Sequence, residues 1–330
     1  MQPEGMLLLN RTEVASLLTA DDYIGAVERA FAAHGSGTSL STGLLHIDSH
    51  EGEFHIKSSG LALDRTYVGV KVNGAFWQNR ERGLPYVHGG ILLFDGETGV
   101  PLALMDSVEI TIQRTAAATA VAAKYLARPD SRVATICGTG TQGRAQLRLL
   151  KRVLPIERVY AFGRRDESVG RYAVEMAAEL GIEVIPARDL AEAARRSDVI
   201  VTCTPSREPL LREADVSPGA FVAAVGSDNP HKQELHPELV ASSTLVADIL
   251  EQCARVGELH HALDAGIMDT EDAYGELGEI VAGKKPGRSS ESEVIVFDST
   301  GTALQNVAAA AIAYQRVVAA GSGSVFDLQA

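Results

Sequence analysis

The chain has 330 residues, 45% of them hydrophobic and 22% charged, which is enough for two domains with cores of their own. Its 30 basic and 43 acidic residues give a net charge of −13, arguing against nucleic acid as a partner, because phosphate backbones call for a basic surface. No stretch of about 20 apolar residues is free of charge, and the opening apolar run MLLL is too short for a signal segment, so a cytoplasmic protein with no membrane partner is expected.

Along the chain, Val14, Leu17 and Leu18, then Ile24, Val27, Ala30 and Phe31, recur at helical spacing and predict helix over 12–35. From Leu44 to Pro101 the pattern changes to strands: LLHID, EFHIKSSGL, YVGVKVNGAF and HGGILLFD. A hairpin turn follows in FDGETGVP, with Gly96 and Gly99 available for positive φ. Asp106 and Glu109 have capping-box spacing at the start of a helix that runs to about Ala127, where Arg128-Pro129-Asp130 stops it.

Beyond Pro129 strands and helices alternate. RVATIC, RVYAF, EVIPA, DVIVTCT, FVAAVGS, STLVADI and EVIVFDSTG read as strands, and 142–153, 167–180 and 189–196 as helices. A mixed segment covers 251–292, a long helix ends near residue 320, and the last residues read as loose. The fold class is therefore α/β, with two parts. A Rossmann-type doubly wound dinucleotide-binding domain spans 129–301. A mixed α+β domain spans 1–128 and recovers the C-terminal helix 302–320.

Within RVATIC-GTGTQG-RAQLRLL, Gly138, Gly140 and Gly143 form G-x-G-x-x-G between a strand and a helix. In that context backbone amides and a helix N-terminus meet a pyrophosphate, because no Cβ blocks the approach and the helix dipole favours an anion. The next strand ends in RVYAFGRRDES, so Gly163, Arg164 and Arg165 stand where an acidic residue would read the ribose of NAD. Asp166 comes too late for that role. Arginines there suit a 2′-phosphate, so NADP(H) is favoured and NAD(H) remains possible. Cys137, Cys203 and Cys253 are too far apart for a metal set and read as buried thiols. His260 and His261 lack a second metal-spaced pair, His88 is as well explained by a hairpin, and no metal site is expected.

The segments VGVKVN, RGLPYVHGGILLFD, LALMDS, QRTAAATAVAAKYLARPD, GTGTQGRAQL, GSDNPHKQEL and FDSTGTALQN resemble the ornithine cyclodeaminase/mu-crystallin family over nearly the whole chain. Its members include ornithine and lysine cyclodeaminases, an alanine dehydrogenase, ketimine reductases and pyrroline-2-carboxylate reductases. The resemblance implies a homodimer joined through the first domain and a small amino or imino acid substrate.

By itself Lys71, which shares a strand face with Asn73, reads equally as a solvated residue. The resemblance implies that it binds the substrate carboxylate and polarises the reacting group. Arg114, in QRTAA, has the planar fork for a carboxylate. Asp228, in GSDNPHKQEL, is the implied acid/base. Thr42 stands where many members have an arginine, and Lys57, beside His55 on one strand face, is expected to supply the missing charge. Tyr86 replaces a threonine and re-shapes the pocket. Thr139, Thr141 and Gln142 in the turn, and Thr115 after Arg114, complete the cofactor-binding set.

The expected activity is NAD(P)H-dependent hydride exchange with an α-imino or α-amino acid. Cyclodeamination of a diamino acid without net redox is the alternative. A non-catalytic nicotinamide- or small-ligand-binding protein is the third reading.

Overall fold

The computed structural model describes residues 5–328. The chain divides into two compact units, one running to Arg114 and resuming at Thr302, the other spanning Thr115–Gly301.

The first unit opens with β1 (Met6–Leu9), α1 (Arg11–Leu17) and α2 (Ala20–Ser36). The single helix expected over 12–35 is thus two. Leu18 is extended, and Thr19 accepts from the Asp22 amide while the Asp22 carboxylate accepts from the Thr19 amide, so a second helix starts there with its own cap. Five strands follow: β2 (Gly43–Ser49), β3 (Gly52–Ala62), β4 (Thr66–Phe76), β5 (Val87–Asp95) and β6 (Pro101–Asp106). In the β5–β6 turn only Gly99 takes positive φ, and the Asp95 carboxylate accepts from the Glu97 and Thr98 amides. Asp106 caps α3 (Ser107–Leu126) by accepting from Val108 and Glu109, whereas the Glu109 carboxylate accepts from Gln113.

The division between units falls within α3, earlier than the boundary expected at 128/129. Ser107 and Thr111 bond to β4, while the far end of the helix is tied into the second unit by Arg288, whose Nε donates to the Leu126 carbonyl at 2.8 Å.

The second unit contains β7 (Val133–Cys137), α4 (Thr141–Val153), β8 (Arg158–Phe162), α5 (Asp166–Leu180), β9 (Glu183–Pro186), α6 (Leu190–Arg195) and β10 (Val199–Thr202). Then come β11 (Arg207–Leu211), β12 (Phe221–Ala224), β13 (Gln233–Leu235), α7 (Pro237–Ala241), β14 (Thr244–Ala247), α8 (Leu250–Val256), α9 (Glu258–Asp264), β15 (Gly275–Glu276), α10 (Leu277–Val281) and β16 (Ile295–Asp298). Eight strands form a parallel sheet in the order β15-β14-β16-β12-β10-β7-β8-β9. Strand order reverses beside β7, the place where doubly wound sheets bind ligands. The central strands are buried along their length, as a sheet covered on both faces demands.

The chain then returns to the first unit as α11 (Ala303–Ala320) and β17 (Ser324–Phe326). α11 packs on α2, β3 and β4. Gly69 permits this, since a Cβ there would stand 2.8 Å from Val307. Within the C-terminal segment expected to be loose, Ser324–Phe326 form β17, antiparallel to β1, in a seven-stranded sheet ordered β17-β1-β6-β5-β4-β3-β2, and residues 329–330 lie outside the described residues. The short run SVF carries too little pattern to be read as a strand before its partner is known.

Candidate active site

In the first unit, period-two alternation puts Lys71 and Asn73 on the inner face of β4 with Gly69 and Tyr67, while Val72 faces outward. Lys71 is only 3% exposed, so the solvated reading of this lysine is excluded. Its ammonium donates to Thr111 Oγ1 at 3.3 Å, and Asn73 Nδ2 reaches the same hydroxyl at 3.5 Å. Ser107 Oγ donates to Asn73 Oδ1. Ser107, Thr111 and Arg114 are spaced as i, i+4 and i+7, one face of α3. Arg114 is also buried, and its Nη1 donates to Gln305 Oε1 of α11 at 2.8 Å. The helix thus presents one polar stripe, Ser107, Thr111 and Arg114, towards β4 and α11. That stripe was the available signal for Ser107 and Thr111, which motif reading passed over. Gln305 carried no such signal.

Lys57 is buried and stands directly opposite Lys71 in the β3–β4 register. His55 lies on the same face, opposite Asn73, and its Nε2 is 3.1 Å from Glu53. Tyr86 precedes β5 and is exposed, its carbonyl accepting from the Phe76 amide. Thr42 is exposed just before β2, and His88 is exposed in β5. Thr115 follows Arg114 and is buried.

In the second unit a cavity of about 570 Å³ opens at the carboxyl ends of β7, β8 and β10. Its lining includes Gly138, Thr139, Gly140, Arg164, Arg165 and, unforeseen from the motifs, Arg207. The three glycines do different work. Gly138 has φ +115°, and a Cβ there would press on the Cys203 carbonyl at 2.8 Å. A Cβ on Gly143 would stand 2.0 Å from the Gly138 carbonyl, so this glycine lets α4 close on β7. Gly140 meets nothing within 4 Å, leaving open space before the amides of Thr141, Gln142 and Gly143 at the start of α4. A pyrophosphate fits that arrangement of amides, dipole and space. Arg144 braces the turn by donating to the Thr139 carbonyl at 2.7 Å, and the buried Tyr172 hydroxyl donates to the Gly143 carbonyl at 3.0 Å.

Asp228 lies in the loop after β12, and Lys232 donates to its Oδ1 at 2.6 Å. The loop is held through the Lys232 carbonyl, which accepts from Ser227 Oγ at 2.7 Å and lies 2.7 Å from His261 Nε2. Burial keeps the His261 imidazole below its ordinary range, so the neutral ring donates this bond. Glu234 links two loops of the unit, accepting from the Thr204 amide at 2.6 Å and the Gly226 amide at 2.8 Å. Glu258 in turn accepts from the Glu234 and Leu235 amides. Burial raises both carboxyls above their ordinary range. Cys137 and Cys253 are free thiols, pushed up by burial in keeping with an inert core role.

Residues 4–321 match the ornithine cyclodeaminase/mu-crystallin family. The chain belongs to that family. Three solved relatives are similar to this chain. An archaeal alanine dehydrogenase dimer with bound NAD is 36% identical, with TM-score 0.93 over 98% of this chain and 99% of that one. The Delta(1)-pyrroline-2-carboxylate reductase of Thermococcus litoralis, in complex with NADH and L-proline, is 34% identical, with TM-score 0.92 over 97% and 100%. The iminosuccinate reductase of Paracoccus denitrificans, in complex with NAD+, is 32% identical, with TM-score 0.90 over 98% and 100%. The family member described here thus has a Rossmann-like α/β unit and a second mixed unit.

Proposed function

We propose that this family member is an NAD(P)-dependent oxidoreductase that reduces the C=N bond of an α-imino acid, or runs the reverse oxidation of an α-amino acid. The observation that carries the reading is that a cavity lined by the glycine turn and two buried cations, Lys71 and Arg114, occur in one chain whose solved relatives hold NAD or NADH and are named for amino or imino acid substrates.

The glycine turn and the opening amides of α4 hold the pyrophosphate, and the bound nicotinamide supplies or accepts the hydride. Arg114 grips the substrate carboxylate with its planar fork, and Gln305 holds that fork in place. Lys71 adds charge at the reacting group, most effective where water is excluded. Lys57, buried and directly opposite Lys71 in the strand register, adds a second positive charge for the same carboxylate. Asp228 delivers the proton to nitrogen in the reductive direction and removes it in the oxidative one, while Lys232 fixes its orientation.

Arg164 and Arg165 make NADP(H) the preferred cofactor, because a dianionic 2′-phosphate gains charge-assisted hydrogen bonds that a ribose hydroxyl cannot. Replacing both by alanine weakens NADPH binding by about 10- to 100-fold and leaves NADH binding nearly unchanged. Fluorescence titration with each cofactor reads this directly, and equal losses for both would count against the assignment.

The outer face of the first sheet carries Leu45, Ile47, Phe54, Val72 and Leu104, all exposed, as the surface for a homodimer.

The decisive assay follows nicotinamide absorbance with purified enzyme, NADPH or NADH, and Delta(1)-pyrroline-2-carboxylate or the imino acids formed from pyruvate or oxaloacetate with ammonia. Net consumption that falls about 100-fold or more in Lys71→Ala supports the reading. No consumption with any of them, together with ammonia release from ornithine without net redox, would replace it with cyclodeamination.

A further inference from the structure

The β2–β3 hairpin sets His46 directly opposite His55 and Asp48 directly opposite Glu53. Cross-strand partners share a face, and residues two apart on a strand share it too. Four side chains with metal-binding chemistry therefore converge on one side of the hairpin. Glu53 is 8% exposed. Its Oε1 lies 3.1 Å from His55 Nε2, and its Oε2 lies 3.4 Å from His46 Nε2. Asp48 Oδ1 lies 3.0 Å from His46 Nε2. One ligand atom from each of His46, Glu53 and His55 falls within 4.8 Å of the others, and the two rings meet nearly edge to face at 82°.

We propose that His46, Glu53 and His55 form a binding site for a divalent transition metal of the zinc class, with the exposed Asp48 carboxylate beside His46. Zinc holds imidazole nitrogen and carboxylate oxygen at about 2.0–2.2 Å, so neighbouring ligand atoms of a tetrahedral site lie about 3.3 Å apart. The distances around Glu53 and His46 span that value. Two imidazoles with a carboxylate suit zinc or its first-row neighbours, whereas magnesium and calcium call for oxygen ligands. The site also has a task in the fold. β2 is the edge strand of the seven-stranded sheet, and a metal shared between His46 and His55 pins that edge to β3. Asp48 is 90% exposed, which leaves its side of the site open to water or to an exchangeable ligand.

The proposal does not depend on the redox reading above, and its test uses a separate signal. The full-length protein is stripped with EDTA, dialysed and titrated with zinc alone, and bound metal is counted by mass spectrometry. The expected result is one zinc per chain, bound at micromolar or lower concentration, with a rise in thermal midpoint. Cobalt in place of zinc should give the intense visible bands of a tetrahedral site.

His55→Ala and Glu53→Gln each weaken zinc binding by about 100-fold or more. His46→Gln, at a more exposed position, gives the same loss if either of those variants folds poorly. The circular dichroism spectrum and thermal midpoint of each metal-free variant are the folding control, because they report on the unit that holds the cluster. His260→Ala and Cys203→Ser should keep the stoichiometry. Absence of stoichiometric zinc, or its persistence in the Glu53→Gln/His55→Ala double variant, would overturn the proposal and leave a hydrogen-bonded His–Glu–His network.

Discussion

At the residue scale, a cluster of buried acidic side chains in the second unit ties stability to pH. Asp298 ends β16 with no exposed surface; burial pushes its carboxyl up to about 7, the Leu259 amide works against that rise, and the Asp248 carboxylate adds to it. The folded chain therefore keeps a proton that the unfolded chain releases near the ordinary value of 3.8. Because the native state binds more protons across that window, stability falls as pH rises from about 4 to about 7, then levels off. Glu234 and Glu258 shift in the same direction and add to the slope. Asp298→Asn keeps the acceptor for Leu259 and removes the titration, so thermal midpoints measured by circular dichroism should vary less across this range. An unchanged slope would assign the pH dependence to the two glutamates.

At the element scale, the glycine turn separates folding from binding. In Gly143→Ala the new Cβ would sit 2.0 Å from the Gly138 carbonyl, a backbone atom that cannot swing aside. That variant should lose about 1–3 kcal/mol of stability together with its nucleotide affinity. Gly140→Ala meets no protein atom within 4 Å and needs no unusual backbone angle, so its melting curve should match the parent. Its NADPH affinity should nonetheless fall at least tenfold, since the methyl occupies the pyrophosphate's approach, and calorimetry on the two variants tests both halves. This turn was legible because strand, glycine spacing and helix start all lie within 20 residues. The pause at Leu18 was less so. Helical periodicity continues across it, and only the reciprocal bonds of Thr19 and Asp22 reveal two helices.

At the scale of the whole molecule, the first sheet is apolar on both faces. Its inner face buries Leu61, Tyr67, Ile91 and Leu93 around Lys57, Lys71 and Asn73, while Leu45, Ile47, Phe54, Val72 and Leu104 stand exposed on the outer one. Such a sheet is stable in water only if the outer apolar face is covered, which favours a second copy. Leu45→Glu on that face should shift the protein from dimer to monomer in light scattering while leaving NADPH affinity intact. A dimer that survives it would place the interface elsewhere.

The sequence by itself determined the α/β class, the nucleotide-binding turn, Arg164 and Arg165 after the second strand of that unit, and the family. Those features depend on residues close together along the chain, where strand period, helix period and glycine stereochemistry act locally. The tertiary structure alone decided that Lys71 and Lys57 are buried and face one another, that Gln305 holds Arg114 across 191 residues, and that residues 324–326 find a partner in β1. It alone brought His46 to Glu53 and His55, and gathered Asp248, Glu258 and Asp298 into one core. Those outcomes rest on register and on contacts between distant segments. A slip of one residue in β3 would turn Glu53, His55 and Lys57 to the opposite face, and a slip in β4 would do the same to Lys71.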